Sequence, residues 1–314
     1  MKIKIVIITL LVLAGALWLF KYLHKNDSQH IVSRKPIEYK KQGFTPAKIP
    51  AKLFFAGEEV PVHYYDVRER LDRELLVNKY WHSSTFLLIK RANRYFPLIE
   101  KILQEEGIPD DLKYIAVAES GLDNVVSPSR AAGFWQFLKG AARDFDLEVN
   151  EEVDERYNLE KATRAACRYM KWNYEKYGSW SLAAAAYNYG RTNINKQIER
   201  QQCESYYDLL LPDETERYVF RLIAIKMILE DPAKYNFIIE HNDLYEPIDT
   251  YSITIDHGIK NLAEFAKEHG ISYRMLKSFN PWLRDNYLTN KRGKTYEIKI
   301  PVKHSRHQSD HLSY

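Results

Sequence analysis

The chain reads as mainly α with a small α+β module at its C-terminal end, and three observations carry that reading. Apolar residues recur at helical spacing from Val67 to Asp231. Tyr251, Ile253 and Ile255, and later Tyr296, Ile298 and Ile300, alternate as strands do, with two short helical patterns between them. The length of 314 residues leaves room for one domain of ordinary size plus a smaller one. Hydrophobic content of 45% with 28% charged residues describes a globular protein, neither disordered nor polytopic.

Taken in order, the first element is an apolar run from Ile5 to Phe20, preceded by Lys2 and Lys4 and followed by Lys21 and Lys25. Sixteen residues are short for a bilayer span and long for a signal-peptide core. Small residues at Ala14-Gly15-Ala16 would suit cleavage, but Leu17-Trp18-Leu19-Phe20 carries the run past them, so residues 1–25 read as an uncleaved membrane anchor ahead of a cleaved signal. Either way the remainder is exported, and no cysteine near the run offers a site for lipid. Residues 26–61 are basic, hold Pro36, Pro46, Pro50 and Pro61, and read as a tether. A helical domain is expected over 62–235, with helices from near Val67, over Phe86 to Leu103, Pro109 to Ser120, Leu159 to Tyr177, Ser181 to Tyr189 and Asp213 to Leu229. The stretch from Val125 to Gly140 reads as loop. Strand, helix, helix and strand over 248–302 form a separate module. The tail at 303–314 is polar, and His304, His307 and His311 read as a frayed terminus ahead of a metal site. Two cysteines, Cys167 and Cys203, make no disulfide framework.

Within the helical domain one position breaks its own pattern. Leu112, Ile115 and Ala116 stand at i, i+3 and i+4, so Glu119 falls where the stripe calls for a core residue. Burial disfavours the charged form of a carboxyl, and a glutamate so placed holds its proton toward neutral pH and can donate it to a substrate oxygen. Pro109 suits the first turn of that helix and Gly121 its C-terminal cap, which puts the carboxyl at a helix end. A glutamate paired with a nearby Arg or Lys is the competing reading of this segment. Three further constellations stand out: Gly133-Phe134-Trp135-Gln136-Phe137, the alanine run that exits in Tyr187-Asn188-Tyr189-Gly190, and Glu214-Thr215-Glu216-Arg217-Tyr218 at a helix start.

In this order and spacing the four motifs resemble the catalytic domain of soluble-type lytic transglycosylases, and the membrane-bound lytic murein transglycosylase D group within them. The resemblance implies a lysozyme-like helical fold with no cofactor and no metal. It makes Glu119 the single catalytic acid and base, and Ser120, Gln136, Tyr187, Asn188 and Tyr218 substrate-binding residues around it. Phe134 stands where leucine is usual, Lys139 where proline is usual, and Tyr189 where a small residue is common. The terminal module is similar to a LysM domain, through Leu262 to Ala266, Gly270-Ile271, Leu276, Asn280-Pro281 and Ile298 to Pro301. Its usual glycine-aspartate-threonine turn is missing.

The resemblance implies a lyase acting on peptidoglycan glycan strands. It would cut the bond between N-acetylmuramic acid and N-acetylglucosamine without water and leave 1,6-anhydro ends, in the periplasm or cell envelope and beside other wall enzymes. A lysozyme-type hydrolase would need a second acid, for which Asp123, Asp144 and Asp146 are available. A wall-binding scaffold would need no acid at all. Nucleic acid is not an expected partner, because a net charge of +4 without a basic stripe is too weak a field. The 23 tyrosines and 6 tryptophans fit sugar stacking as well as they fit a core.

Overall fold

A chain whose apolar stripes recur every third or fourth residue has to bury them helix against helix, and the computed structural model, which describes residues 45–303, does this. The N-terminal run and the histidine-bearing tail at 304–314 lie outside the described residues. Among the described residues no helix is long and apolar enough to cross a membrane.

The elements in chain order are a two-residue hairpin, β1 (Phe54–Phe55) and β2 (Glu58–Glu59), and two long helices, α1 (Tyr65–Tyr80) and α2 (His82–Glu105). A single 3-10 turn (Asp110–Lys113) then leads into the short α3 (Tyr114–Ser120). After the loop come α4 (Lys139–Asp144), α5 (Leu159–Tyr177), α6 (Trp180–Tyr189), α7 (Arg191–Gln201) and α8 (Asp213–Glu230). Helix α8 is the centre of the bundle: ten of its side chains, from Thr215 to Ile228, are buried, and it packs on α1, α3 and α6. The run Ala183 to Ala186 is fully buried, which is what lets α6 approach α5 and α8 closely.

The terminal module is β3 (Thr250–Ile255), α9 (Leu262–Glu268), α10 (Tyr273–Phe279) and β4 (Tyr296–Pro301), with the strands antiparallel and Ile253 opposite Ile298. Its helices start as their caps dictate, with Asn261 Oδ1 accepting from the Ala263 amide at 2.9 Å and Ser272 Oγ from the Met275 amide at 3.2 Å.

Two expectations need correction. Residues 26–61 are not a tether throughout: Leu53, Phe55, Ala56 and Val60 belong to the main core, and Phe55 is 0% exposed. Nor is the terminal module separate. Its core of Leu262, Leu276, Trp282, Leu283 and Ile298 continues into Ala132, Val153 and Tyr157 of the helical domain. Helix α7 was also not expected, since its apolar residues are the single pair Ile194 and Ile198, of which only Ile194 is fully buried. Cys167 is buried, Cys203 half-buried, and both are free thiols.

Candidate active site

Helix α3 is short because a glycine stops it. Gly121 takes the left-handed conformation (φ 62°) and closes the helix through its amide on the Val117 carbonyl, and Arg91 adds a hydrogen bond from Nη1 to the Gly121 carbonyl at 2.9 Å. Glu119 thus sits in the last turn, on the stripe that Leu112, Ile115 and Ala116 bury, with its residue half-buried.

Its partner comes from α8. Tyr218, 1% exposed, donates its hydroxyl to Glu119 Oε1 at 2.6 Å. Loss of water around the carboxyl outweighs this bond and pushes its pKa up to about 7. The Tyr218 hydrogen bond and the charge of Arg221 pull the other way, and the charge of Glu214 adds to the rise. Glu214 is the carboxylate whose charge reaches Glu119, and it is held by Arg221, whose Nη1 and Nη2 lie 2.8 and 3.2 Å from its two oxygens. Tyr187 and Tyr218 are both held as neutral phenols, first by burial and then by the charge of Glu119.

The aromatic loop is fixed by its own tryptophan. Trp135 is fully buried and its indole N–H donates to Thr163 Oγ1 of α5 at 2.9 Å, while its carbonyl accepts the Tyr187 hydroxyl at 2.7 Å. With Trp135 locked inward, Gln136 takes a left-handed conformation (φ 48°) and its amide nitrogen donates to Gly133 and Val125 carbonyls at 2.7 and 3.0 Å. Gly133 is required here: a Cβ on it would lie 2.0 Å from the Arg156 carbonyl oxygen. Phe134 packs edge-on against Tyr95 at 4.9 Å, and Lys139 opens α4, where proline suits a first helical turn.

The expected site residues are not all used alike. Glu119, Tyr218 and Tyr187 come together through direct contact or charge. Asn188 joins them through α8, its Oδ1 accepting from Thr215 Oγ1 at 2.9 Å. Gln136 is tied in through the Trp135 carbonyl one residue away. The Ser120 hydroxyl turns back on its own helix, donating to the Ala116 carbonyl at 2.9 Å and accepting the Asp123 amide at 3.4 Å, and makes no bond to Glu119. Of the acids a hydrolase would draw on, Asp123 is paired with Arg91 at 2.8 Å, Asp144 is exposed, and Asp146 is exposed with Arg168 3.9 Å away.

Glu214 and Thr215 stand in the motif that opens α8 but were given no site role from sequence, and Arg221 was not singled out. The Glu214–Arg221 pair was readable, since seven residues bring two positions to one face of a helix. Among the described residues no group of three His, Cys, Asp or Glu side chains is arranged to hold a metal ion.

Comparison with known proteins gives two domain matches. Residues 97–210 match the transglycosylase SLT domain, and residues 251–304 match the soluble lytic transglycosylase C-terminal LysM-like domain. The membrane-bound lytic murein transglycosylase D of Escherichia coli strain K12 is 27% identical over 260 residues, covering 80% of this chain and 56% of that protein. Its counterpart in the O6:H1 strain matches to the same extent. The chain thus spans a little over half the length of these relatives. Among solved structures, the 70 kDa soluble lytic transglycosylase of Escherichia coli matches over 59% of this chain and 37% of its own, at 15% identity and a TM-score of 0.40. By its two domain matches the chain carries a transglycosylase SLT domain followed by the LysM-like C-terminal domain of soluble lytic transglycosylases.

Proposed function

We propose that this protein is a lytic transglycosylase of peptidoglycan that cleaves the β-1,4 bond between N-acetylmuramic acid and N-acetylglucosamine and leaves a 1,6-anhydro end. The observation that carries the reading is Glu119: a half-buried carboxyl with a pKa near neutrality, held by one phenol, whose neighbouring carboxylate Glu214 is occupied by Arg221. Such a group acts first as acid and then as base.

The solitude of that carboxyl sets the chemistry. Protonated Glu119 donates to the bridging glycosidic oxygen, and the bond to muramyl C1 breaks. The muramyl acetamido oxygen stabilises the positive charge at C1, as in other substrate-assisted glycosidases. The carboxylate left behind accepts the proton of the C6 hydroxyl, whose oxygen closes on C1, so Glu119 ends the cycle protonated and no water is consumed. Tyr218 orients the carboxyl through its 2.6 Å bond. Gln136, Tyr187 and Asn188 contact the glycan, and Ser120 stands beside Glu119 in the last turn of its helix. Residues 62–235, with the 54–59 hairpin packed into their core, form the catalytic domain, and 248–302 form the LysM-like module. The apolar run at 5–20 holds the enzyme to the envelope membrane, where it turns over or remodels wall.

Mass spectrometry of wall digested with protein lacking residues 1–25 tests this. Anhydro-ended disaccharide peptides are expected. Fragments with reducing ends would instead assign a hydrolase, and intact wall a scaffold.

A further inference from the structure

The LysM-like module meets the catalytic domain along Glu148 to Lys161, where Lys294 and Tyr296 reach Glu148 and Lys299 reaches Glu160, and at Glu152 to Tyr157 it is fastened by backbone as well as side chains. The Arg284 amide donates to the Glu152 carbonyl at 2.7 Å and the Asp154 amide to the Trp282 carbonyl at 2.9 Å, so Val153 and Leu283 pair as a β-bridge. Glu152 accepts from the Thr289 amide at 2.7 Å and from its hydroxyl at 2.9 Å, and the Arg284 guanidinium covers the Tyr157 ring at 4.1 Å. Val153 and Tyr157 are buried in the module's own core.

The same segment holds the aromatic loop on its other side. Arg156, paired with the largely buried Asp154 at 2.7 Å, donates from Nη1 to the Arg130 carbonyl at 2.9 Å and the Phe137 carbonyl at 3.1 Å, the two ends of the loop. Gly133 rests on the Arg156 carbonyl so closely that no side chain fits between them. Ala132, bridged to both Val126 and Phe137, is itself part of the module's core. One continuous path therefore runs from module to segment to the loop that presents Gln136.

We infer that the LysM-like module is a positioning element of the active site: through Arg156 and Ala132 it holds the 130–137 loop in the conformation that presents Gln136 to the glycan. Arg156 is the positioning residue at the end of that path. This rests on the reading of Gln136 as a glycan contact, but the loop geometry is testable without it. Independence of the two is expected in the kinetics, because Glu119 and Tyr218 stand on α3 and α8 and not on the loop.

The test is amide hydrogen exchange on the full chain, beside steady-state kinetics on purified murein, for the double variant E152A/R284A and for R156K. Glu152 is half-buried and Arg284 exposed, so their removal leaves both cores filled. In both variants the loop amides of Ala132, Gly133 and Gln136 are expected to exchange about 10-fold faster or more while α8 stays at the wild-type rate. KM is expected to rise about three- to tenfold with kcat within about twofold, the mark of lost binding with intact chemistry. R284K, which keeps a cation on Tyr157, is expected to restore wild-type exchange. Faster exchange confined to the module, with loop exchange and KM unchanged, would overturn the inference, as would a loss shared equally by α8. If wild-type protein releases nothing from murein, the proposed reaction falls, and the exchange comparison still decides the loop.

Discussion

Two carboxyls face successive residues of α8 and are put to opposite uses. Glu74 on α1, 1% exposed, accepts from Arg217 Nε at 2.7 Å and has Arg221 and Arg73 nitrogens at 3.7 and 3.8 Å. Glu119 on α3 accepts from Tyr218, and Arg221 is the only cation whose charge favours its ionised form, from further away. Glu74 is the deeper of the two, since Glu119 is half-buried, so burial alone does not account for the difference. The charge of the partner does: a cation turns a buried carboxyl into a structural ion pair, whereas a neutral phenol leaves it with a proton to give.

Removing the proton donor breaks that contrast most severely. In E119Q turnover of murein is expected to fall by about 1,000-fold or more, with sedimentation of the protein on insoluble wall retained. The same variant sharpens the contrast in stability. A carboxyl whose folded pKa lies near 7 and whose unfolded pKa is ordinary binds more protons folded than unfolded between those values, so it costs stability as pH rises through that window. E119Q is therefore expected to melt with wild type at about pH 4 and above it at about pH 8, by roughly 2 kcal/mol after allowance for water at the cleft.

The matching change on the structural side, R217M, leaves Glu74 short of its best hydrogen bond. It is expected to cost about 2 kcal/mol in denaturant unfolding with kcat unaltered in the folded fraction. A smaller effect, about 1 kcal/mol in kcat, is expected from Y218F. Because the lost bond favoured the ionised form, the alkaline limb of its pH profile is expected to move to higher pH, and a limb moving lower would contradict the assignment of Tyr218 as a partner to the carboxylate.

How much of this was legible beforehand depended on periodicity. The helix ending at Gly121, the core position of Glu119 and the strand alternation of the module all announce themselves, because each repeats at a fixed interval. The hairpin at 54–59 did not, since two-residue strands have no interval to repeat and the prolines around it look like a linker. Helix α7 was hidden for a related reason: one i,i+4 pair, Ile194 and Ile198, is too short to show a repeat. In the site, Glu119 was readable from periodicity, whereas the nearness of the Tyr218 hydroxyl, 99 residues on, was expected through the family resemblance alone, because it depends on how α3 meets α8. The grip of the module on Glu152 to Tyr157 was invisible because it uses main-chain groups, which no side-chain pattern reports, together with the side chains of Glu152 and Thr289, which lie 137 residues apart.

Glu58, in that overlooked hairpin, has a practical bearing. Its carboxylate receives the Trp180 amide, the Ser181 amide at 3.1 Å and hydroxyl at 2.9 Å, and the Ser179 hydroxyl at 3.1 Å, so it neutralises the start of α6, whose far end bears Tyr187 and Asn188. A recombinant fragment trimmed to residue 62, where helical pattern first suggests a boundary, would discard this clamp together with Phe55. Shortened versions for crystals or assays should begin ahead of residue 47.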